Sequence, residues 1–508
     1  MKRIVTILKT TLLMCCLWLP ASSMLGQNGV DTGVPSRLNP SRELPDQCWT
    51  DLVTEQPEGY VVDANGDVHL YSAEALAWLS VVSNGHNGQE ADNFDGKKVT
   101  LEANVDMSAA LWTPISTNTN MPAFSGTFDG KEHVVDGLVL KAPNAYSNRI
   151  GFFGNTAEAT LSNIVLRNGY LEGSGYGMGF FVSKATKSTI DHCFVECEMH
   201  GVEGVPFVYS IDGSDISNCM VYSPMLQKGG NYDIGGAFAA ENRIHNGDGT
   251  LPTIQNCAAI IEKMDFSFGE TWGFVGQYNH GLIENCYVYI EELSNFPGYS
   301  GNGGPRNGIT KDNMGEIRNC YYNRIRNHDT ITFSTYYLGL DDQPAVGTDG
   351  IINTHPFTEE GRGQWKLTQP VSFELESGTV STDDLLEALN LKVQQMEGDN
   401  FLSWCDTNPV FNSHDLPVFC NLDITETAEN TAIDNQATLH PNPTNGEVTV
   451  TCEGLIRIRI VNAFGQTVYN ATHQGDQARI DLSPMAKGIY MMHIEANGGQ
   501  AVRKIVVE

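Results

Sequence analysis

Five cysteines that follow asparagine or histidine are the first candidates for metal or disulfide chemistry in this chain. They are Cys193, Cys219, Cys257, Cys286 and Cys320. Zinc sites need converging thiolates, usually supplied by short Cys-x-x-Cys pairs, whereas these cysteines stand 26 to 38 residues apart. The spacing therefore favours a structural role, with the thiols filling core space as small apolar side chains.

Residues for hydrolytic chemistry are sparse. The chain has no His-Glu-x-x-His motif of zinc peptidases, and Ser300 lies in a Gly-Tyr-Ser-Gly stretch without the glycine spacing of a nucleophile elbow. Polysaccharide lyases and hydrolases need carboxylates that converge on one face, often with a basic residue. The candidates lie on different sequence units with no spacing that brings them together: Asp248, Asp265, Glu270 and Arg306. We expect no catalytic residues, no metal and no cofactor.

Acidic residues near the N-terminus match part of a calcium-binding loop. Asp63, Asn65, Asp67 and Glu74 stand at its first, third, fifth and twelfth positions, but Val68 occupies the place where the loop needs glycine. The Asn-Gly pair at 65–66 is typical of a tight β-hairpin turn. We expect the hairpin.

The cysteines belong to an internal repeat. Ile-x-Asn-Cys occurs at 216–219, 254–257, 283–286 and 317–320, with variants at 161–164 and 190–193. Repeats of this length are typical of stacked supersecondary units, and each unit here contains short strands with alternating apolar residues. A single unit cannot bury its apolar face, but a stack can. The sequence predicts an all-β fold: a right-handed parallel β-helix with short helical end caps, followed by a small immunoglobulin-like β-sandwich.

Stacking also predicts two side-chain columns, because strands of neighbouring coils lie about 4.8 Å apart. The asparagines should form a ladder of amides: Asn163, Asn218, Asn256, Asn285 and Asn319. His192 interrupts this ladder, and we interpret it as a hydrogen-bonding substitute. The cysteines should form an inward column, in which parallel side-chain vectors disfavour disulfides.

Composition and domain boundaries point to an exported protein. The chain has 508 residues and a net charge of −31, which argues against nucleic acid as a partner. A basic start and a short apolar run predict a signal peptide at 1–26. We assign 27–96 to a hairpin and capping helix (helix 73–82), 97–340 to the β-helix, 341–422 to a C-terminal cap (helix 382–395) and 423–437 to a linker. Loop 294–307 is a candidate binding loop. Cys405 and Cys420 are the expected disulfide pair, with Cys48 as a rival partner.

The first coils resemble a known family. Residues 101–108, 112–115, 124–130 and 134–138 are similar to the opening coils of secreted bacterial β-helix proteins that carry the GLUG motif. Such proteins include surface adhesins and non-catalytic regions of some surface peptidases, so the resemblance implies fold more than activity.

The last segment, 438–508, contains short alternating strands that predict the β-sandwich. It resembles the type A sorting domain of the type IX secretion system of Bacteroidetes. The residues that carry the resemblance are Pro441, Asn442, Pro443, Gly446, Gly465, Gly488, Tyr490 and Lys504. The resemblance implies export across the outer membrane through the type IX machinery, followed by tail removal with attachment to surface lipopolysaccharide or release.

We therefore expect a cell-surface or secreted, non-enzymatic adhesin or scaffold. The alternative is a polysaccharide-active β-helix lyase or hydrolase. The host glycan or protein ligand is not specified by the sequence, nor is the oligomeric state.

Overall fold

The computed structural model describes most of the chain outside the first 43 residues and several loops. The described residues are 44–117, 122–142, 149–173, 176–201, 203–228, 235–266, 273–294, 309–323, 352–361, 364–375, 378–396, 400–405, 416–420 and 438–507, the last range with breaks at 443, 445, 453, 462–466, 474, 486 and 497–498. The predicted signal peptide, the linker and all but the first residue of the 294–307 loop lie outside them. Within these ranges, every helix is too short or too polar to cross a membrane.

The N-terminal end is covered by a hairpin and a helix. This part contains α1 (Trp49–Leu52), β1 (Tyr60–Val62), β2 (Val68–Leu70) and α2 (Ala73–Asn84). The Ser72 hydroxyl accepts a hydrogen bond from the Ala75 amide at 3.2 Å and so begins α2, while Gly85, at φ 66°, ends it. Asn84 at the end of α2 donates to the Pro114 carbonyl at 2.8 Å, which fixes the helix to the first coil.

Twenty-five strands make up the coil and its small outer layer. They are β3 (Lys98–Leu101), β4 (Val105–Asp106), β5 (Thr127–Asp129), β6 (Val134–Asp136), β7 (Val139–Ala142), β8 (Phe153–Ala157), β9 (Thr160–Ser162), β10 (Val165–Gly173), β11 (Tyr176–Gly179), β12 (Val182–Thr186), β13 (Thr189–Asp191), β14 (Phe194–His200), β15 (Glu203–Val205), β16 (Val208–Asp212), β17 (Asp215–Ser217), β18 (Met220–Ser223), β19 (Leu226–Lys228), β20 (Ala239–Arg243), β21 (Thr253–Gln255), β22 (Ala258–Phe266), β23 (Val275–Asn279), β24 (Leu282–Glu284), β25 (Tyr287–Ser294), β26 (Thr310–Asn313) and β27 (Glu316–Asn323).

Parallel pairing stacks these strands into a β-solenoid of about seven turns, which confirms the predicted parallel β-helix. Face 1 consists of β8, β12, β16, β20, β23 and β26. Face 2 consists of the short strands that precede the asparagine corner, from β5 through β9, β13, β17, β21 and β24 to the start of β27. Face 3 consists of the strands after that corner: β6, β10, β14, β18, β22, β25 and the end of β27. On face 2 the isoleucines of the repeat lie in register, Ile216 beside Ile254 and Ile254 beside Ile283.

The glycine and aromatic residues of the repeat have a packing role at the start of face 1. A Cβ added to Gly179 would lie 2.1 Å from the Val182 carbonyl oxygen, so only glycine fits there. The phenylalanines that follow stack inside the coil, with ring centroids 4.5 Å apart between Phe207 and Phe238 and 4.6 Å apart between Phe238 and Phe274. This aromatic column is a large part of the buried core.

The segment after the coil extends the last turn and then runs along its side. It contains β28 (Ile352–Gly361), β29 (Gln364–Leu375), β30 (Gly378–Asp384), α3 (Leu385–Val393), β31 (Trp404–Cys405) and β32 (Val418–Phe419). β28 pairs in parallel with β27, and β29 and β30 add to it in antiparallel fashion. We call residues 385–396, 400–405 and 416–420 the strap.

The strap corrects the prediction that 341–422 only closes an end of the coil. It packs in one apolar cluster with the outward side chains of face 3, among them Phe194, Met220 and Tyr287. Face 3 is apolar on both sides at these positions, as in Cys286-Tyr287-Val288, so its outer side needs a cover. The absence of alternation in the sequence is the signal that predicts such a cover.

The last 70 residues form two antiparallel sheets with a core of their own. Their strands are β33 (Thr438–His440), β34 (Glu447–Thr451), β35 (Leu455–Val461), β36 (Thr467–Thr472), β37 (Gln477–Asp481), β38 (Gly488–Ala496) and β39 (Gly499–Val507). One sheet has the order β33-β34-β37 and the other β36-β35-β38-β39. Val450, Ile458, Ile480 and Met492 are among the buried residues between them. This is the small sandwich that the alternating strands predict.

Candidate functional surfaces

The asparagines of the repeat occupy one corner of the coil and bond to one another along part of it. Asn285 Nδ2 donates to Asn256 Oδ1 at 2.9 Å, and Asn256 Nδ2 donates to Asn218 Oδ1 at 2.8 Å. All of the predicted ladder residues have positive φ, from 48° to 54°: Asn163, Asn218, Asn256, Asn285 and Asn319. Asparagine tolerates this conformation better than most residues, so the corner itself selects it.

The ladder changes character toward the N-terminus. Asn163 Nδ2 donates to Asp129 Oδ1 at 3.0 Å, and Asn218 Nδ2 donates to Asp191 Oδ1 at 2.8 Å. His192 has φ 53° at the same corner, but its Nδ1 bonds to the adjacent Asp191 at 2.5 Å. It therefore does not substitute for an amide in the ladder as we expected, because a carboxylate has taken over that role.

The strap reads the ladder through its main chain. Asn218 donates to the Asn400 carbonyl at 2.9 Å and accepts from the Leu402 amide at 2.9 Å. Asn256 donates to the Leu402 carbonyl at 2.9 Å and accepts from Trp404 Nε1 at 2.7 Å. The central ladder is therefore a structural seam between coil and strap and is not open to a ligand.

The structure joins Cys405 to Cys420 by a disulfide, with 5.0 Å between the Cα atoms. Cys48, the rival partner, is a free thiol. The bond links β31 to β32, which pair antiparallel within the strap.

The cysteine column lies inside the coil, next to the ladder. Its five members are buried and carry free thiols. Burial raises the pKa of the thiols of Cys219, Cys286 and Cys320, which keeps them in the neutral form. Among the described residues, no three metal-binding side chains converge. The column packs as part of the apolar core.

A second ladder of amides lies at the end of face 1 and was not predicted. Asn242 Nδ2 donates to Asn279 Oδ1 at 2.7 Å, and Asn279 Nδ2 donates to Asn313 Oδ1 at 2.7 Å. All three side chains are fully buried. Asn279 and Asn313 each stand six residues before a repeat asparagine, in the pattern Asn-x-Gly-x-Ile-x-Asn, which is a signal that the sequence contains.

The candidate catalytic residues of the sequence do not come together. Asp248 pairs with Lys187 at 3.0 Å and accepts from the Thr250 hydroxyl at 2.6 Å. Asp265 lies on a different turn, in β22, whereas Glu270 and Arg306 fall outside the described residues. The structure thus provides no constellation of these four.

One column of charged residues on face 3 is different. Asp106 lies beside Asp136, and Asp136 lies beside Arg167. Arg167 Nε bonds to Glu196 Oε2 at 3.0 Å, and both side chains are nearly inaccessible, at 3% and 7% exposure. Burial raises the pKa of the Asp136 carboxyl, despite a hydrogen bond from Asn168 and the nearby Arg167. This column brings two carboxylates together, but its only cation lies beneath the surface.

The outer side of face 1 carries an open patch of aromatic and paired charged residues. We call it the face-1 patch and define it as Lys184, Asp212, Glu241, Arg243, Tyr278 and His280. Lys184 Nζ pairs with Asp212 at 3.2 Å, and Arg243 pairs with Glu241 at 2.6 Å. The Arg243 guanidinium lies 5.5 Å from the Tyr278 ring centroid, and the rings of Tyr278 and His280 are stacked with centroids 6.1 Å apart.

The residues of the predicted sorting signal lie in the small sandwich. Pro441 and Asn442 are exposed after β33, and Pro441 follows a cis peptide bond. Gly446 is buried where the Leu482 amide donates to its carbonyl at 2.5 Å, and Tyr490 belongs to the sandwich core. Gly488 begins β38, and Lys504 pairs with Met491 across β38 and β39. Pro443 and Gly465 fall outside the described residues.

Known proteins resemble this chain mainly in its last domain. Residues 438–508 match the family of secretion system C-terminal sorting domains. A solved structure of a Bacteroides ovatus protein proposed to be an immunoglobulin A1 protease is 16% identical, with a TM-score of 0.42, and the match covers 70% of this chain and 93% of that one. A likeness at this level carries no functional conclusion. No curated protein matches the chain. Residues 438–508 are therefore a type IX secretion sorting domain, and the protein is exported across the outer membrane to the cell surface or the extracellular space.

Proposed function

We propose that the protein is a non-enzymatic adhesive scaffold, which the sorting domain delivers to the cell surface and whose coil presents a binding face. The observation that carries this proposal is the way charged side chains pair on the described coil. Lys98 pairs with Asp129, Lys263 with Glu292 and Arg318 with Glu316, each within one turn or between neighbouring turns. Such pairing neutralises charge locally and leaves few acids or bases for proton transfer.

The resemblance of residues 101–138 to surface proteins with GLUG motifs supports the same proposal. The acidic chain, with a net charge of −31, also suits an exported protein that has to stay soluble.

A polysaccharide-active enzyme is the second candidate, and the face-3 charged column favours it. Retaining glycosidases place two carboxylates about 5 Å apart, and neighbouring strands of a parallel sheet are about 4.8 Å apart. Asp106 and Asp136 occupy such neighbouring positions, and Asp136 has the raised pKa that a general acid needs. Against this candidate stands the burial of Arg167 and Glu196 as a closed ion pair.

Two assays on the full chain separate the candidates. We expect binding to at least one ligand class on glycan and host-protein arrays, and no depolymerisation of soluble polysaccharides. Polysaccharide cleavage by the parent chain that disappears in Asp136→Asn, combined with silence on both arrays, would overturn the scaffold proposal.

The partners after export follow the same proposal. The type IX machinery carries the sorting domain outward, after which the domain is removed and the coil is attached to lipopolysaccharide or released. Mass spectrometry of the C-terminus of the protein recovered from cells and medium tests this step. An intact Glu508 on all exported protein would contradict it.

A further inference from the structure

The face-1 patch combines stacked aromatic rings with neutralised charges on four consecutive turns. In register, Lys184 lies beside Ser210, Ser210 beside Glu241, and Glu241 beside Tyr278. With strands about 4.8 Å apart, this column is roughly 14 Å long. Asp212 and Arg243 form a second column directly beside it. The patch is thus a strip of side chains held in place by the parallel sheet.

The aromatic side chains of the patch retain free polar atoms. Tyr278 and His280 are half-buried, and their ring contacts are with each other and with Arg243. Within the described part of the chain, neither the Tyr278 hydroxyl nor the His280 ring nitrogens have a hydrogen-bond partner. Burial, together with the Arg243 cation, lowers the pKa of His280, so this ring is neutral at neutral pH. The two rings therefore offer an apolar face with hydrogen-bonding tips.

The charges of the patch cancel. Lys184 is paired with Asp212 and Arg243 with Glu241, so the four ionic groups sum to zero. A polyanionic ligand would meet no net positive charge here, on a chain that is strongly acidic overall. Paired planar groups instead offer donors and acceptors in fixed positions, which suit hydroxyl groups.

Raised structure borders the strip on two sides. The small outer sheet of β11 and β15 packs over the start of face 1, where Val205, Tyr209 and Ala240 form a separate apolar cluster. On the other side, His245 Nδ1 bonds to Asp212 at 3.1 Å and holds the turn that follows β20. These walls make the strip a shallow trough along the coil.

We propose that the face-1 patch binds neutral glycans, whose pyranose faces stack on Tyr278 and His280 while their hydroxyls bond to the Arg243–Glu241 and Lys184–Asp212 pairs. The inference rests on the proposed function, because it names the ligand class of an adhesive coil. Glycans suit the trough since they combine an apolar ring face with equatorial hydroxyls and carry no charge.

The test uses the full chain on an array of neutral, uronate-containing and sulfated glycans together with host proteins, followed by calorimetry on the best glycan. We expect neutral glycans to bind, Tyr278→Ala to weaken binding about tenfold, and Tyr278→Phe, which keeps the ring, to stay within about threefold of the parent. Tyr71→Ala is the matched control, because Tyr71 is an exposed tyrosine on the N-terminal cap, and it should bind like the parent. Unfolding temperatures of the variants verify that the fold is intact.

The possible failures are distinguishable. Binding of neutral glycans that Tyr278→Ala leaves unchanged overturns the inference and leaves the scaffold proposal standing, as does binding restricted to charged glycans or to proteins. Silence on every array overturns both.

Discussion

Asn256 has φ 54°, and its carboxamide bonds to Asn218, Asn285, Leu402 and Trp404. The residue thus meets a backbone requirement and a hydrogen-bonding requirement together. Glycine would satisfy the backbone only, and alanine would satisfy neither. At the scale of the residue, the corner of the coil depends on asparagine for both reasons.

Replacing Asn256 separates the two requirements. Asn256→Ala leaves buried partners unsatisfied and adds backbone strain, and should lower the free energy of unfolding by about 3 to 5 kcal/mol. Asn256→Gly loses the amide but relieves the strain, and should cost about 1 kcal/mol less than the alanine variant. Denaturant unfolding of the parent and both variants measures the differences. Equal losses in the two variants would show that conformation plays no part.

Glu102 predicts a pH dependence at the N-terminal coils. Partial burial alone would raise its pKa, but hydrogen bonds from Lys131, His69 and Thr100 lower the pKa to about 2, from 4.5. Because the folded pKa is depressed, the stabilisation is complete above pH 4.5 and is lost as pH falls toward 2. Lys131→Met removes two of these bonds, at 2.8 and 2.7 Å, and should lose its stability at higher pH than the parent.

The control for this prediction is Lys263→Met, which removes a surface pair on another turn. Acid unfolding curves of the three proteins provide the measurement. Coincident curves for Lys131→Met and Lys263→Met would contradict the role of Glu102.

At the scale of the element, the disulfide stabilises the strap. It links positions 15 residues apart, and closing a loop of this length contributes about 3 kcal/mol in the chain-entropy model. Cys405→Ser with Cys420→Ser should therefore lower the free energy of unfolding by about 2 to 3 kcal/mol. Reductant should destabilise the parent by the same amount and have no effect on the double variant, because the thiol column is already reduced.

Denaturant unfolding with and without reductant measures both effects. Further destabilisation of the double variant by reductant would indicate another disulfide.

Elements with a repeating local pattern could be predicted from the sequence, whereas their long-range partners could not. The repeat asparagines and the alternating apolar residues predict the stacked strands, and Ser72 predicts the start of α2. The helix predicted at 382–395 is shorter, Leu385–Val393, because Asp384 accepts a bond from the Glu387 amide and begins it. The bonds of Asn218 to the main chain of Asn400 and Leu402 join residues more than 180 positions apart, and no local pattern encodes them.

The same limit applies to the candidate binding surface. Tyr278, His280 and Arg243 are scattered in sequence, and only the parallel register places them together. Predicting the patch would require the register of face 1, which an insertion at 244–252 obscures.

At the scale of the whole molecule, folding and export depend on separate parts. The sandwich of 438–508 has a hydrophobic core whose members are distinct from those of the coil and strap. We expect a chain lacking residues 438–508 to fold with an unchanged unfolding temperature of the coil but to stay inside the outer membrane. Cell fractionation with immunoblotting measures export, and full-length Tyr71→Ala serves as the exported control. Surface display of the truncated chain would contradict the assignment of the export signal.

The irregular length of the turns has a consequence for how such a molecule diversifies. The turn from Asn218 to Asn256 is 38 residues long and the one before it 26, yet Asp215 still lies beside Thr253 and Ile216 beside Ile254. Since the corner residues and not the chain length set the alignment, extra residues can be accommodated outside the coil while its interior stays unchanged. The solenoid is therefore a mounting rail on which loops of new specificity can be exchanged one turn at a time, without the core having to evolve again.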